Sequence, residues 1–232
     1  MRTSVTEHRL FWRMYATVYD SMWDSPLTSA LADEIARRTA GAGLVVDFGC
    51  GTGLATARVK GLVIGIDSSP EMIRQAKRRI SNLRLAQVYD TGLETGCADV
   101  AVLANVLHLC AYPEKVLAEA FRVVKANGWI IVTSPTDKAN IATVAQTQRA
   151  LGWQRRKVAL FIASALITGV MGALIGVTRH LDKDVSELID ASYRSDIYKP
   201  MSLFGIQNIM QIKVHKGGKL VIESIETSAS LR

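Results

Sequence analysis

Residues 45–53 read Val-Val-Asp-Phe-Gly-Cys-Gly-Thr-Gly, and no other stretch constrains the fold as tightly. Leu44, Val45, Val46 and Phe48 pattern as a buried parallel strand, which ends in the glycine-rich turn Gly49–Gly53. A helix-compatible run, Leu54 to Val59, follows at once. Strand, glycine turn and helix in that order let a backbone approach a nucleotide-like ligand closely, because no Cβ intervenes. A second strand, Leu62 to Ile66, ends in Asp67, about twenty residues after Asp47, where a carboxylate can grip a ribose diol.

The glycine spacing separates two kinds of ligand. A dinucleotide fingerprint, G-x-G-x-x-G, aims helix amides at a pyrophosphate. Here the order is D-x-G-x-G-x-G, and a pyrophosphate would be repelled by Asp47. A carboxylate suits a ligand with a cationic end, such as the amino and sulfonium groups of S-adenosylmethionine. VVDFGCGTG followed by VIGIDSSPEMI (63–73) resembles the first two motifs of class I S-adenosylmethionine-dependent methyltransferases. The likeness continues through ADVAVLANVLHL (98–109) and PEKVLAEAFRVVKANGWIIVTSPT (113–136), which resemble that family's fourth strand, next helix and fifth strand. It covers residues 8–136 and is strongest toward the small-molecule branch that includes the ubiquinone and menaquinone enzymes. Another Rossmann-type binder is the competing reading.

The resemblance implies a set of site residues. Gly49, Cys50 and Gly51 would line the methionine end of the cofactor, with Asp47 ordering that loop or the amino group. Asp67 would accept from the ribose hydroxyls, and Ser68 or Met72 would lie against the adenine. Asp90 matches the acid that takes the adenine's exocyclic amine, with Thr91 beside it, although Tyr89-Asp90-Thr91 replaces the usual G-D-A and the next loop is one residue short. Asp90 is equally well read as a turn residue before Gly92. Ala104 and Asn105 would touch the methionine portion. His108 is the best-placed base, against the plainer reading of a packed histidine. Tyr15, Tyr19 and Asp20 resemble the segment that closes over the cofactor in this branch, and the same residues read otherwise as an ordinary amphipathic face. Tyr19 joins His108 as a candidate catalytic residue.

Charge and cysteine usage narrow the partners. The net charge is +7, and residues 137–183 hold seven Lys or Arg against two acids. Basic residues around an apolar run point to an anionic substrate or membrane surface more than to a nucleic-acid groove. Asn105-Val106-Leu107-His108 also differs from the N-P-P-Y sequence of many nucleic-acid amino methyltransferases. Cys50, Cys97 and Cys110 have no metal-like spacing, so a reduced cytoplasmic setting and no metal are expected. The four histidines are scattered, and the N-terminus lacks the apolar core of a signal peptide.

Alternating strands and helices with short connections predict an α/β, doubly wound Rossmann-like sheet within a single domain over 1–232. Residues 1–24 form a lid helix, patterned over 5–20; residues 25–136 form the cofactor core. In that core a helix runs from Ser25-Pro26 toward Thr39, another from Ser69-Pro70 to near Ser81, and a third from Pro113 to Asn127-Gly128. Strands are expected at Leu83–Tyr89, Ala98–Ala104 and Trp129–Thr133. Residues 137–200 form an apolar, basic cap insertion, and residues 201–232 add a hairpin, Ile209–His215 with Lys219–Ile225.

Residues 158–177 carry no charge, and twenty helical residues would span roughly 30 Å, the thickness of a bilayer core. Three arrangements fit: a buried cap helix, a bent pair broken near Gly169–Gly172, or an anchor. A single crossing would strand the hairpin away from its sheet, which favours the first two. The expected activity is transfer of the methyl of S-adenosylmethionine to a small hydrophobic acceptor such as a quinone, polyketide, terpenoid or lipid, with S-adenosylhomocysteine as product. Nucleic acid is not an expected partner; peripheral membrane contact through 153–180 and a homodimer both suit the apolar run. The alternatives are an RNA or protein methyltransferase, or a membrane-tethered cofactor-binding protein without turnover.

Overall fold

The computed structural model describes residues 9–174, 201–214 and 220–221. Helices α1 (Arg9–Trp23) and α2 (Pro26–Arg38) precede strand β1 (Leu44–Phe48). Then come β2 (Leu62–Asp67), α3 (Pro70–Ala76), β3 (Asn82–Leu85), β4 (Ala98–Ala104), α4 (Pro113–Val123) and β5 (Val124–Pro135). The chain continues through α5 (Ile141–Ala150) and α6 (Arg155–Leu174) to β6 (Met201–Leu203), β7 (Gln207–Val214) and β8 (Leu220–Val221). Strand order is β3-β2-β1-β4-β5-β7-β6, with β8 also paired to β7. The first five strands run parallel, and β7 lies antiparallel to β5.

Both faces of the sheet are covered, and the two-residue period of a strand divides its side chains between them. Val46 and Phe48 face Leu117 and Ala120 of α4 in one core. Val45, Val100, Val102 and Ile131 face Leu31 and Ile35 of α2 in the other. The chain order reverses between β1 and β4, so their C-terminal ends part and leave a crevice at the sheet's edge. A third core closes that crevice: Met22 and Leu27 pack with Val144, Trp153, Phe161 and Ile206.

Several sequence expectations shift in detail. Residues 54–58 form turns rather than a helix. Gly53 enters with a positive φ of 81°, and the Thr56 hydroxyl is drawn inward to Asp47. Helix α3 ends at Ala76, well before Ser81, and strand β3 stops at Leu85, short of Tyr89. Helix α4 yields to β5 at Val124, before Asn127-Gly128; a register break between the Ala98 and Val100 pairings absorbs the extra residues. The lid helix runs to Trp23, past residue 20, and residues 5–8 of the expected span lie outside the described residues.

The expected C-terminal hairpin is present as β7 and β8, joined by the pairs Lys213–Val221 and Val214–Leu220. His215 of its first strand, and Lys219 and residues 222–225 of its second, lie outside the described residues. The sequence did not reveal β6, which pairs with the opposite end of β7. Helix α6 runs unbroken through Gly169 and Gly172 to Leu174, so the bent pair is not found there. Nor is the helix wholly buried. Phe161, Ser164 and Thr168 face inward, whereas Leu160, Leu166, Ile167 and Val170 are exposed. Among the described residues, no helix is long and apolar enough to cross a membrane.

Candidate cofactor and acceptor site

A cavity of about 690 Å³ occupies the crevice, within the size range of small-molecule sites. One end is polar and made by strand termini. Asp47, Gly49, Cys50 and Gly51 come from the end of β1, Asp67 and Ser68 from β2, and Ala104 and Asn105 from β4. Met72 of α3 and His108 of the short helical turn Leu107–Leu109 also line it.

The glycine turn follows from steric demands. Gly49 has φ 67°, and a Cβ there would stand 2.6 Å from Cγ2 of Val106, so a side chain has neither conformation nor space. Gly51 has φ 54°, and its amide donates to Oδ2 of Asp67 at 2.9 Å. Oδ1 of Asp67 accepts from the Ser69 amide at 2.8 Å. The same acid that faces the cavity therefore ties the glycine turn to the start of α3. Burial raises its pKa, opposed by those amide hydrogen bonds.

Asp47 is wholly buried, and Oδ2 accepts from Thr56 Oγ1 at 2.6 Å. Its other oxygen, Oδ1, accepts no hydrogen bond. Burial pushes the pKa up to about 7, partly opposed by the Thr56 hydroxyl and reinforced by Asp67. A buried carboxylate with an unused oxygen is expensive alone and is relieved by a cation. The ammonium of an S-adenosylmethionine methionine moiety meets that need. A buried acid, Asp47, and a half-buried one, Asp67, on either side of the glycine turn thus fit such a cofactor.

The other end of the cavity is apolar. Phe11, Trp12, Tyr15 and Tyr19 of α1 line it, as do Trp23, Leu27, Ile141, Val144, Phe161 and Ala165. These rings pack on one another: Phe11 stacks on Tyr15 at 5.3 Å, and Tyr15 meets Tyr19 edge-on at the same distance. Trp23 donates from Nε1 to the Tyr15 hydroxyl at 2.6 Å and meets Phe161 of α6 edge-on at 5.6 Å. Burial, then Tyr15 and the acids Asp67, Asp20 and Asp47, push the Tyr19 pKa up. The Tyr19 phenol is therefore held in its neutral form.

Helix α1 is held over the site by polar contacts. Arg79 pairs with Asp20 at 3.0 Å and donates to the Thr52 carbonyl at 3.1 Å, which joins the end of α1 to the glycine turn. Gln75 donates to the Ala16 carbonyl at 2.5 Å. On the far side, Asn105 adopts a positive φ of 56°, a conformation Asn tolerates better than most residues, where the chain leaves β4. Its side-chain oxygen accepts from Gln207 Nε2 at 2.7 Å.

Most of the residues singled out from sequence converge here: Tyr15, Tyr19, Asp47, Gly49, Cys50, Gly51, Asp67, Ser68, Met72, Ala104, Asn105 and His108 all line the cavity. Asp90 and Thr91 do not. Asp90 is exposed in the turn after Gln87, and Thr91 is buried with its amide and hydroxyl both donating to Glu119. Arg122 holds Glu119 ionised, with its pKa lowered to about 2, so Thr91 is committed to a structural pair. Gln87, Val88 and Tyr89 line the cavity there instead. Gln207 and Ile206 were not legible in sequence, because only antiparallel pairing brings β7 beside β5. Among the described residues, no cluster of His, Cys, Asp or Glu could hold a metal ion.

Comparison with known proteins relates part of the chain to methyltransferases. Residues 46–132 match the family described as a methyltransferase domain. An uncharacterized 37.1 kDa transposon protein of Streptomyces fradiae is 42% identical over 39% of this chain and 29% of its own length. A phosphatidylethanolamine N-methyltransferase of Cereibacter sphaeroides is 28% identical over 61% of this chain and 76% of its own. The chain thus spans under a third of the first relative and about three quarters of the second. The solved 1,6-didemethyltoxoflavin-N1-methyltransferase of Burkholderia thailandensis, with 1,6-didemethyltoxoflavin and S-adenosylhomocysteine bound, superposes with a TM-score of 0.57 at 16% identity. That match covers 90% of this chain and 87% of the other, and is a likeness of fold.

Proposed function

We infer that this chain is a class I S-adenosylmethionine-dependent methyltransferase that moves a methyl group to a small, largely apolar acceptor, a reading supported by the methyltransferase-domain match over residues 46–132 and by the likeness of fold. The observation that carries this reading is the continuity of the cavity. A polar end built from Asp47, Asp67 and the glycine turn opens directly onto an aromatic end built by α1, α5 and α6. The cofactor supplies an electrophilic methyl on a sulfonium sulfur. The protein's part is to hold that methyl in line with an acceptor's lone pair and to keep water away.

Asp47 would bind the methionine ammonium and Asp67 the ribose diol. Tyr19 would donate a hydrogen bond from its phenol at the mouth between the two ends. His108, buried on the cavity wall, would take up the proton that a neutral oxygen or nitrogen acceptor loses. The aromatic wall leaves few polar groups to satisfy a charged or heavily hydroxylated acceptor. A relative named for phosphatidylethanolamine supports the same class, at 28% identity.

The test uses the purified chain. S-adenosylhomocysteine binding is measured by calorimetry, then turnover with apolar phenols, hydroquinones and amines is compared with turnover on RNA and protein. Product formation confined to the apolar set is expected. Methylation of RNA or protein alone would overturn the acceptor class while leaving the cofactor site standing.

A further inference from the structure

Helix α6 presents two different faces. Its inner face, with Phe161, Ala165 and Thr168, walls the cavity. The buried hydroxyl of Thr168 is satisfied by the Ser164 carbonyl at 2.9 Å, so that face needs no water. The outer face carries Arg156, Ala159, Leu160, Ala163, Leu166, Ile167 and Val170, all exposed and spaced three or four apart. Leu166, Ile167 and Val170 are 55%, 61% and 60% exposed. A contiguous apolar stripe of this kind, on a helix with no acidic residue in it, is costly in water and marks a surface with a partner.

The charges identify the partner. Arg155, Arg156 and Lys157 stand exposed in the first turn of the same helix, and none of them is ion-paired among the described residues. Cations at the start of a helix oppose its dipole, so they gain nothing from the helix itself. An apolar stripe edged by cations is complementary to an anionic bilayer, where side chains enter the acyl boundary and cations meet headgroups. We propose that the outer face of α6 docks this protein on an anionic lipid surface. An apolar acceptor then passes from the bilayer around α6 into the cavity behind it; that second half rests on the proposed function.

The test is flotation of the purified full chain with vesicles of phosphatidylcholine, alone or with about a third phosphatidylglycerol. Binding to the anionic vesicles that weakens with salt is expected. The I167E/V170E variant, whose side chains are exposed, should bind at least about tenfold more weakly. Alanine at Arg155, Arg156 and Lys157 should cost about fivefold per charge. Unchanged S-adenosylhomocysteine affinity in each variant shows that the fold and cofactor site survive. Failure of the wild-type chain to bind anionic vesicles, or binding that survives I167E/V170E, would overturn the proposal. A wild-type dimer that I167E/V170E dissolves, seen by analytical ultracentrifugation without vesicle binding, would assign the face to a second copy instead. Loss of cofactor binding by the wild-type chain would sink the proposed function and leave the docking result to stand on its own.

Discussion

The amide of Gly51 donates to Oδ2 of Asp67 at 2.9 Å, so the acid that ends the second strand holds the glycine turn that ends the first. Their strands are adjacent and parallel, with Phe48 paired to Ile66, which places the two termini side by side. One carboxylate thus does two things: it fixes the loop and faces the cavity.

Replacement of Asp67 by alanine should therefore cost more than its ligand contacts. Losing charge-assisted hydrogen bonds to a ribose is expected to cost about 1.5–3 kcal/mol, or roughly ten- to a hundredfold in S-adenosylhomocysteine affinity. Because the Gly51 and Ser69 amides also lose their acceptor, the ligand-free protein should melt several degrees lower. Calorimetric affinity equal to wild type would place the ribose elsewhere.

Asp47 gives a pH signature. Its pKa is raised from 3.8 to about 7, so between those values the folded state keeps a proton that the unfolded state has lost. The stability due to this group is fully present below its unfolded pKa, falls as pH rises toward 7, and is flat above. Asp67 shifts in the same direction. Glu119, lowered from 4.5 to about 2, works oppositely, but its contribution is complete above its ordinary value. Urea unfolding of the ligand-free chain from about pH 5 to about pH 8 should show declining stability. Asn at position 47 should flatten that decline, and a wild-type profile in the variant would refute the assignment.

Arg79 fastens the lid. Alanine there removes the pairs to Asp20 and Asp24 and the hydrogen bond to the Thr52 carbonyl. Cofactor affinity should weaken about tenfold, in keeping with one or two charged hydrogen bonds. The rest of the fold does not depend on these pairs, so the melting temperature should move little. A large stability loss with normal affinity would make Arg79 a structural residue only.

Gln148 bolts α5 to α2 from a fully buried position. Its Oε1 accepts from the Leu27 amide at 3.2 Å, and its Nε2 donates to the Ser25 hydroxyl at 2.7 Å. Alanine would leave buried polar groups unmatched, at about 1–3 kcal/mol. For a chain of this length the expected drop is about 2–4 °C per kcal/mol, read by calorimetry with S-adenosylhomocysteine affinity as the control.

The local code was sufficient for the sheet's centre and for the polar end of the cavity. Continuous apolar strands, positive-φ glycines and acids at strand ends are short-range features, and Asp47, Gly49, Gly51 and Asp67 lie where that code puts them. Asp90 lies outside the cavity lining, and the same signal, an acid before a glycine, also makes a turn. Only the buried pairing of Thr91 with Glu119, twenty-eight residues away, shows which way the segment faces. At the aromatic end the sequence pointed to a lid helix and a cap insertion, but not to how they meet. That end is assembled from α1, α5, α6 and β7, whose contacts depend on long-range packing: Trp23 against Phe161, Gln148 against Leu27, Gln207 against Asn105. The apolar run shows the limit most clearly. Its composition is the same all round, so sequence alone could assign it neither an inside nor an outside. Packing against α1 and α5 made one face a cavity wall and left the other exposed, because a helix can bury only the side its neighbours reach.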